Sequence, residues 1–188
     1  MTRQALVLPL GVLALACASS PSPRWQHGGA ALATGTAYWS REDSTVELRP
    51  SGEVFIEDEL VFRFDRSGRI TDAQGERVAV LMPDGYLIAE DDDEDKLAWV
   101  GAGASFIGAE HEPGVYVFPT GQVFVADKDG EWFGGGQWAY CDGPLLWTCT
   151  LVTHVIASRD RARGKGSSSG SSAGDVLKLL EVLRIFAH

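Results

Sequence analysis

Three cysteines, four histidines and one run of consecutive carboxylates are the residues of this chain whose types and spacing invite chemistry. The carboxylate run is Glu90-Asp91-Asp92-Asp93-Glu94-Asp95. Clustered carboxylate oxygens are what hard cations such as Ca²⁺ take as ligands. A calcium loop of the helix–loop–helix kind starting at Asp91 would need glycine and glutamate where Lys96 and Ala102 stand, so that motif fails. The run reads as a solvated hairpin tip whose self-repulsion keeps a sheet end soluble; weak cation binding or a basic partner is the functional alternative.

The histidines offer little catalysis. His27 lies in a polar N-terminal stretch, His188 stands at the terminus, and His154 alternates within an apolar run that suits a packed core residue. His111 sits between Glu110 and Glu112, which favours its charged form, but no nucleophile accompanies it. There is no G-x-S-x-G elbow, phosphate-binding loop, zinc spacing or dinucleotide fingerprint. The chain therefore reads as a non-enzymatic protein that calls for no cofactor. Its formal charge of −10, from 16 Lys+Arg against 26 Asp+Glu, argues against nucleic acid as a partner, because phosphate binding needs a cationic surface.

The odd cysteine count asks for a separate job for one of the three. Arg3 precedes twelve uncharged, mostly apolar residues, Ala5 to Ala16, a run too short to span a bilayer but suited to a signal-peptide core. It ends in Leu13-Ala14-Leu15-Ala16-Cys17, which resembles the lipobox of bacterial lipoproteins. The usual leucine three residues before the cysteine is Ala14 here. The resemblance covers residues 1 to 17 and implies that Cys17 is lipidated, becomes the new N-terminus and anchors the chain to a membrane surface. Ala18 in place of aspartate implies the outer rather than the inner membrane of a Gram-negative envelope. The same residues also fit ordinary cleavage after Ala14 and Ala16, which would release a secreted protein.

An exported chain is free to hold disulfides, and lipidation of Cys17 leaves Cys141 and Cys149 as an even pair. Asp142-Gly143-Pro144 between them is a turn signal. Two strands folding back around it would set the sulfurs opposite each other, within the Cα separation of about 4.4–6.8 Å that a bridge needs. Two buried free thiols are the alternative. A redox site is disfavoured because the spacing is not that of a Cys-x-x-Cys motif.

The elements that must position these groups are announced by glycine. Gly52, Gly68, Gly85, Gly103, Gly121 and Gly136 recur at intervals of 15 to 18 residues, three of them in Pro-x-Gly turns: Pro50-Ser51-Gly52, Pro83-Asp84-Gly85 and Pro119-Thr120-Gly121. Proline presets the second position of a type I turn, and glycine takes the left-handed position that starts a bulge. Alternating apolar residues flank the turns, as in Val46, Leu48, Val54 and Ile56. Each step holds two short strands and a second, acidic loop. These loops carry 15 of the 26 acidic residues: Glu57-Asp58-Glu59, Asp72 to Glu76, Glu90 to Asp95, Glu110 to Glu112, and Asp127 to Asp129. In an up-and-down meander alternate turns lie at opposite ends. The glycine turns should line one rim and the acidic loops the other.

The later strands, including Val115-Tyr116-Val117-Phe118 and Leu151 to Ile156, are apolar on both faces and need a cover. Residues 175–188, with Lys178, Glu181 and Arg184 on one side of an otherwise apolar repeat, predict an amphipathic helix to provide it. The expected order is a signal peptide at 1–16, a proline-rich extended tether at 17–33, and a β-meander domain at 34–158. A basic then Gly/Ser-rich linker at 159–174 and the helix at 175–188 complete it. The expected fold is mainly β, an antiparallel up-and-down meander of short hairpins closed into a barrel or strongly curved, with one C-terminal α-helix. The expected role is an envelope lipoprotein that binds or supports another envelope protein. The alternative is a carrier of a small apolar ligand, its cavity lined by Trp99, Phe106, Tyr116, Phe118, Phe124, Trp132 and Trp138.

Overall fold

A computed structural model describes residues 20–91, 96–107, 112–127 and 130–165. Among them twelve strands follow one another as a meander. The first six are β1 (Ala37–Ser40), β2 (Thr45–Leu48), β3 (Glu53–Ile56), β4 (Glu59–Phe64), β5 (Arg69–Asp72) and β6 (Arg77–Leu81). They continue as β7 (Tyr86–Ala89), β8 (Lys96–Val100), β9 (Ala104–Ile107), β10 (Glu112–Val117), β11 (Gln122–Ala126) and β12 (Trp132–Ala139). Every strand pairs antiparallel with the next, and β12 returns to β1, so the sheet is a closed barrel. Two helices flank it in sequence, α1 (Pro23–His27) and α2 (Leu145–Lys165).

The rims follow the glycine count. Gly52, Gly68, Gly85, Gly103 and Gly121 all lie in the turns at one end, and the described parts of the acidic loops lie at the other. Close approach requires glycine at these turns as much as backbone conformation does. Gly121 has φ +88°, and a Cβ there would stand 2.1 Å from the carbonyl oxygen of Trp138. Its own carbonyl accepts the Trp138 N–H at 2.8 Å, and Gly52, Gly68, Gly85 and Gly103 accept from Phe64, Leu81, Val100 and Val117 in the same way. Each glycine turn is thus stitched to the end of the following hairpin. Gly136 differs. It lies inside β12, opposite Val123, where a Cβ would meet the carbonyl of Ser40.

A barrel of twelve strands is wider than its own side chains fill, since about eight strands already enclose a lumen that side chains just occupy. Helix α2 takes the remaining space. Thr148 through Ser158 are all buried, whereas a helix lying on the outside would wet one face. Its polar side chains bond the inner wall. Trp138 Nε1 donates to Thr153 Oγ1 (2.9 Å), Gly103 N–H to Thr150 Oγ1 (3.0 Å), and Thr148 Oγ1 to the carbonyl of Ala33 (2.6 Å). The helix enters at the glycine rim, where Trp147 Nε1 reaches the Val100 carbonyl at 2.8 Å. It ends at the acidic rim, where Arg41 pairs with Asp160.

Several expectations change here. Leu151 to Ile156 is helix, not strand, and residues 159–165 continue that helix rather than forming a linker. The β-domain's strands end at Ala139, and the bridge between Cys141 and Cys149 spans a turn and the first turns of α2 rather than a hairpin. The tether is also not extended throughout. Ser22 caps α1 through its Oγ, and both its N–H and hydroxyl donate to Glu90, at 2.9 and 2.6 Å. Arg69 donates to the carbonyls of Trp25 and Gln26, and Gly29 and Ala30 donate to those of Ser67 and Leu81. This segment packs on the outside of β5–β7 and covers apolar residues such as Val80. The helix expected at 175–188 lies outside the described residues.

Candidate functional site

The seam that closes the barrel is short. β1 pairs with β12 only through Tyr38↔Ala139, Trp39↔Trp138 and Ser40↔Gln137. Beyond Ser40 the chain turns away, with Arg41 N–H donating to the Ser44 carbonyl at 2.9 Å, and β2 begins. β12 runs on toward the acidic rim as Trp132 to Gly136, paired there with β11 alone. A notch of about 580 Å³ opens between the two, and the last turns of α2 show through it.

Its floor is apolar, made by Trp39, Val125 and Ala157. The Trp39 ring stacks on Trp138 at 5.7 Å between centroids, and its Nε1 donates to the Gly135 carbonyl at 2.8 Å. Arg41 lies over the same ring at 5.0 Å while pairing with Asp160. Arg161 donates to the carbonyls of Gly114 and Ala126, and among the described residues its buried Nε has no partner. Burial pushes the Arg161 guanidinium below its ordinary value, and the carboxylates of Asp127 and Glu112 pull it back up. Glu42, Asp43 and Asp127 complete the lips. The notch offers backbone, carboxylate and apolar surface.

The groups picked from sequence fall elsewhere. Glu90 spends both oxygens on Ser22 and also faces Arg77 at 3.5 Å, so it fastens the N-terminal segment to the barrel. Asp91 is exposed, and Asp92, Asp93, Glu94 and Asp95 lie outside the described residues, as do His111, His188 and Cys17. Cys141 and Cys149 form a disulfide with a Cα separation of 6.2 Å. Of the seven aromatics expected around a cavity, Trp138 alone faces the lumen. Trp99 packs at a tilt against Phe106, as does Tyr116 against Trp132, and Phe118 meets Phe124 edge to face, all on the outer face of β8–β12. Inward positions on those strands belong to Val100, Ser105, Val115, Val117, Val123 and Val125. Trp39, Arg41 and Arg161 gave no signal in the sequence. The run Gly134-Gly135-Gly136 was the one available hint, since glycines within a strand mark close backbone approach or exposed backbone.

The fold and notch define a helix-filled antiparallel β-barrel with an interrupted wall. No protein-family model matches the chain, and neither a curated protein nor a solved structure matches it.

Proposed function

We propose that the chain is an exported, non-enzymatic binding or structural module, held at a bacterial cell envelope by a lipid on Cys17. The observation that carries this reading is the Cys141–Cys149 disulfide. It accounts for two of three cysteines in a way that suits an oxidising compartment, and leaves Cys17 to the lipobox-like segment. The outer membrane is the expected address if the envelope is Gram-negative, and the expected partner is another envelope protein. Strands of four to eight residues bearing outward charges such as Glu47, Arg63 and Arg69 suit a barrel held beside the membrane. A membrane-crossing strand needs about 9–11 residues.

Intact-mass measurement of the processed chain tests the reading. Diacylglyceryl and acyl mass on Cys17, lost in Cys17→Ala together with membrane association, is the expected result. A soluble product cleaved after Ala16 with a free Cys17 would overturn the anchor.

The carrier of a small apolar ligand keeps one supporting observation, the notch with Trp39, Val125 and Phe133 in its lining. Helix α2 occupies the lumen that a larger ligand would use. Stoichiometric binding of an apolar dye, quenching Trp39 and displaced by lipid, is the measurement that would favour it.

A further inference from the structure

We infer that the open edge of β12 is a docking strand for an extended, cationic peptide segment of a partner protein. The inference rests on the reading of the chain as a binding module and names the kind of partner; the lipid anchor does not enter it.

The backbone supplies the argument. The Glu131 carbonyl accepts the Asp127 N–H at 2.9 Å, so the backbone groups of Glu131 face β11. Alternation turns those of Phe133 the same way and sends those of Trp132 and Gly134 toward the notch, where β1 has already ended. An edge that ends its pairing halfway is a template for an added strand. The Trp132 and Phe133 side chains beside it are 40% and 51% exposed, large apolar surface for the alternate side chains of a visitor. The apolar floor of the notch lies directly below.

Charge selects the occupant. Among the described residues the cations lining the notch are already committed, Arg41 to Asp160 and Arg161 to two carbonyls. Glu42, Asp43 and Asp127 ring the opening, on a chain of net charge −10. A second copy pairing edge to edge would bring two such acidic openings together, which like-charge repulsion opposes. A segment alternating basic and apolar residues sets its cations against the carboxylates and its apolar side chains on the floor.

The test uses the full chain and a synthetic peptide alternating lysine and valine. Saturable one-to-one binding by fluorescence anisotropy is expected, with slowed amide exchange at Trp132 and Gly134. Gly134→Pro removes the N–H that faces the notch, and a Cβ at Gly134 meets nothing within 4 Å, so the barrel should tolerate the change. Affinity should fall at least tenfold in Gly134→Pro and several-fold less than that in Gly134→Ala, which keeps the N–H. The inference is overturned by no binding, by equal binding of a glutamate–valine peptide, or by full affinity in a folded Gly134→Pro. Protection of the two amides in the free chain would also overturn it. Loss of that protection on truncation at residue 165 would assign the edge to the tail, and concentration-dependent protection would assign it to a second copy. Each of these results leaves the Cys17 mass measurement untouched, so the anchor and the docking edge fail separately.

Discussion

Inside the barrel, His154 Nδ1 and Ser105 Oγ stand 2.8 Å apart, one on α2 and the other on β9, and both residues are 1% exposed. The Ser105 oxygen also accepts the Val115 N–H at 3.2 Å, so one hydroxyl ties α2 to both β9 and β10. A hydroxyl hydrogen-bonded to a histidine is the start of a nucleophile–base pair. Here it is sealed in the core, and its work is to fasten the helix to the wall.

Burial, with Arg161 nearby as a second cause, pushes the His154 pKa down to about 3 from its ordinary 6.5. The unfolded chain therefore binds a proton that the folded chain refuses across that whole window. Stability from this group is complete above pH 6.5 and drains away as the pH falls toward 3, by up to about 1.4 kcal/mol per pH unit. Urea unfolding between pH 7 and 4 should show this slope, and His154→Gln should remove it. An unchanged slope in the variant would place the titration elsewhere.

Gly121 and Gly130 separate two causes of glycine preference. Both have positive φ, +88° and +82°, but a Cβ at Gly130 meets nothing within 4 Å whereas one at Gly121 runs into the Trp138 carbonyl. Alanine at 130 should cost about 1–2 kcal/mol, the left-handed penalty alone. Alanine at 121 should cost more than twice that, because the stitch to β12 must also break. Equal losses in chemical denaturation would show that the stitching contributes nothing.

The placement of α2 in the lumen is checked by a double-mutant cycle. Trp138→Phe and Thr153→Val each break the 2.9 Å hydrogen bond between wall and helix. A coupling energy of about 0.5–1.5 kcal/mol is expected for such a bond. Strict additivity would mean that the two side chains do not meet.

Reduction of the Cys141–Cys149 bridge should lower stability by about 2–3 kcal/mol, the chain-entropy value for a loop closed across a sequence separation of 8. The bridge holds the point where the chain turns from β12 into the lumen, so the loss should appear as faster exchange of amides at the start of α2. A melting temperature indifferent to reductant would contradict this.

Much of the barrel was legible in the residues because it is local. The turns at Gly52, Gly85 and Gly121 are specified by proline, a small polar residue and glycine acting within four positions, and the turn at Gly68 by Asp65, Ser67 and glycine; strand parity then assigns the acidic loops to the opposite rim. Gly136 broke the count because the same residue type also serves a close strand crossing, which depends on where Ser40 lies.

The strand expected at Leu151 to Ile156 shows the limit of periodicity. A helix buried on all sides has no polar face, so its apolar, β-branched run reads like a buried strand. The same blindness placed the aromatics of β8–β12 inside. When both faces of a strand are apolar, alternation cannot say whether Val115 or Tyr116 looks inward, and the answer depends on what fills the lumen.

The sequence by itself determined the repeated hairpins and the two chemically distinct rims, since each follows from short-range turn chemistry and strand parity; it made the Cys141–Cys149 pair an expectation, which the helix rather than a hairpin fulfils. Tertiary structure alone decided that α2 occupies the lumen, that Ser22 to Gly29 pack on the outside while Ala30 and Leu32 join the core, and that β1 stops short of β12. Those outcomes depend on the width of a closed twelve-strand sheet and on contacts between residues more than a hundred positions apart, such as Arg41 with Asp160. The notch that Trp132 and Gly134 border exists only because the closure is incomplete at that rim.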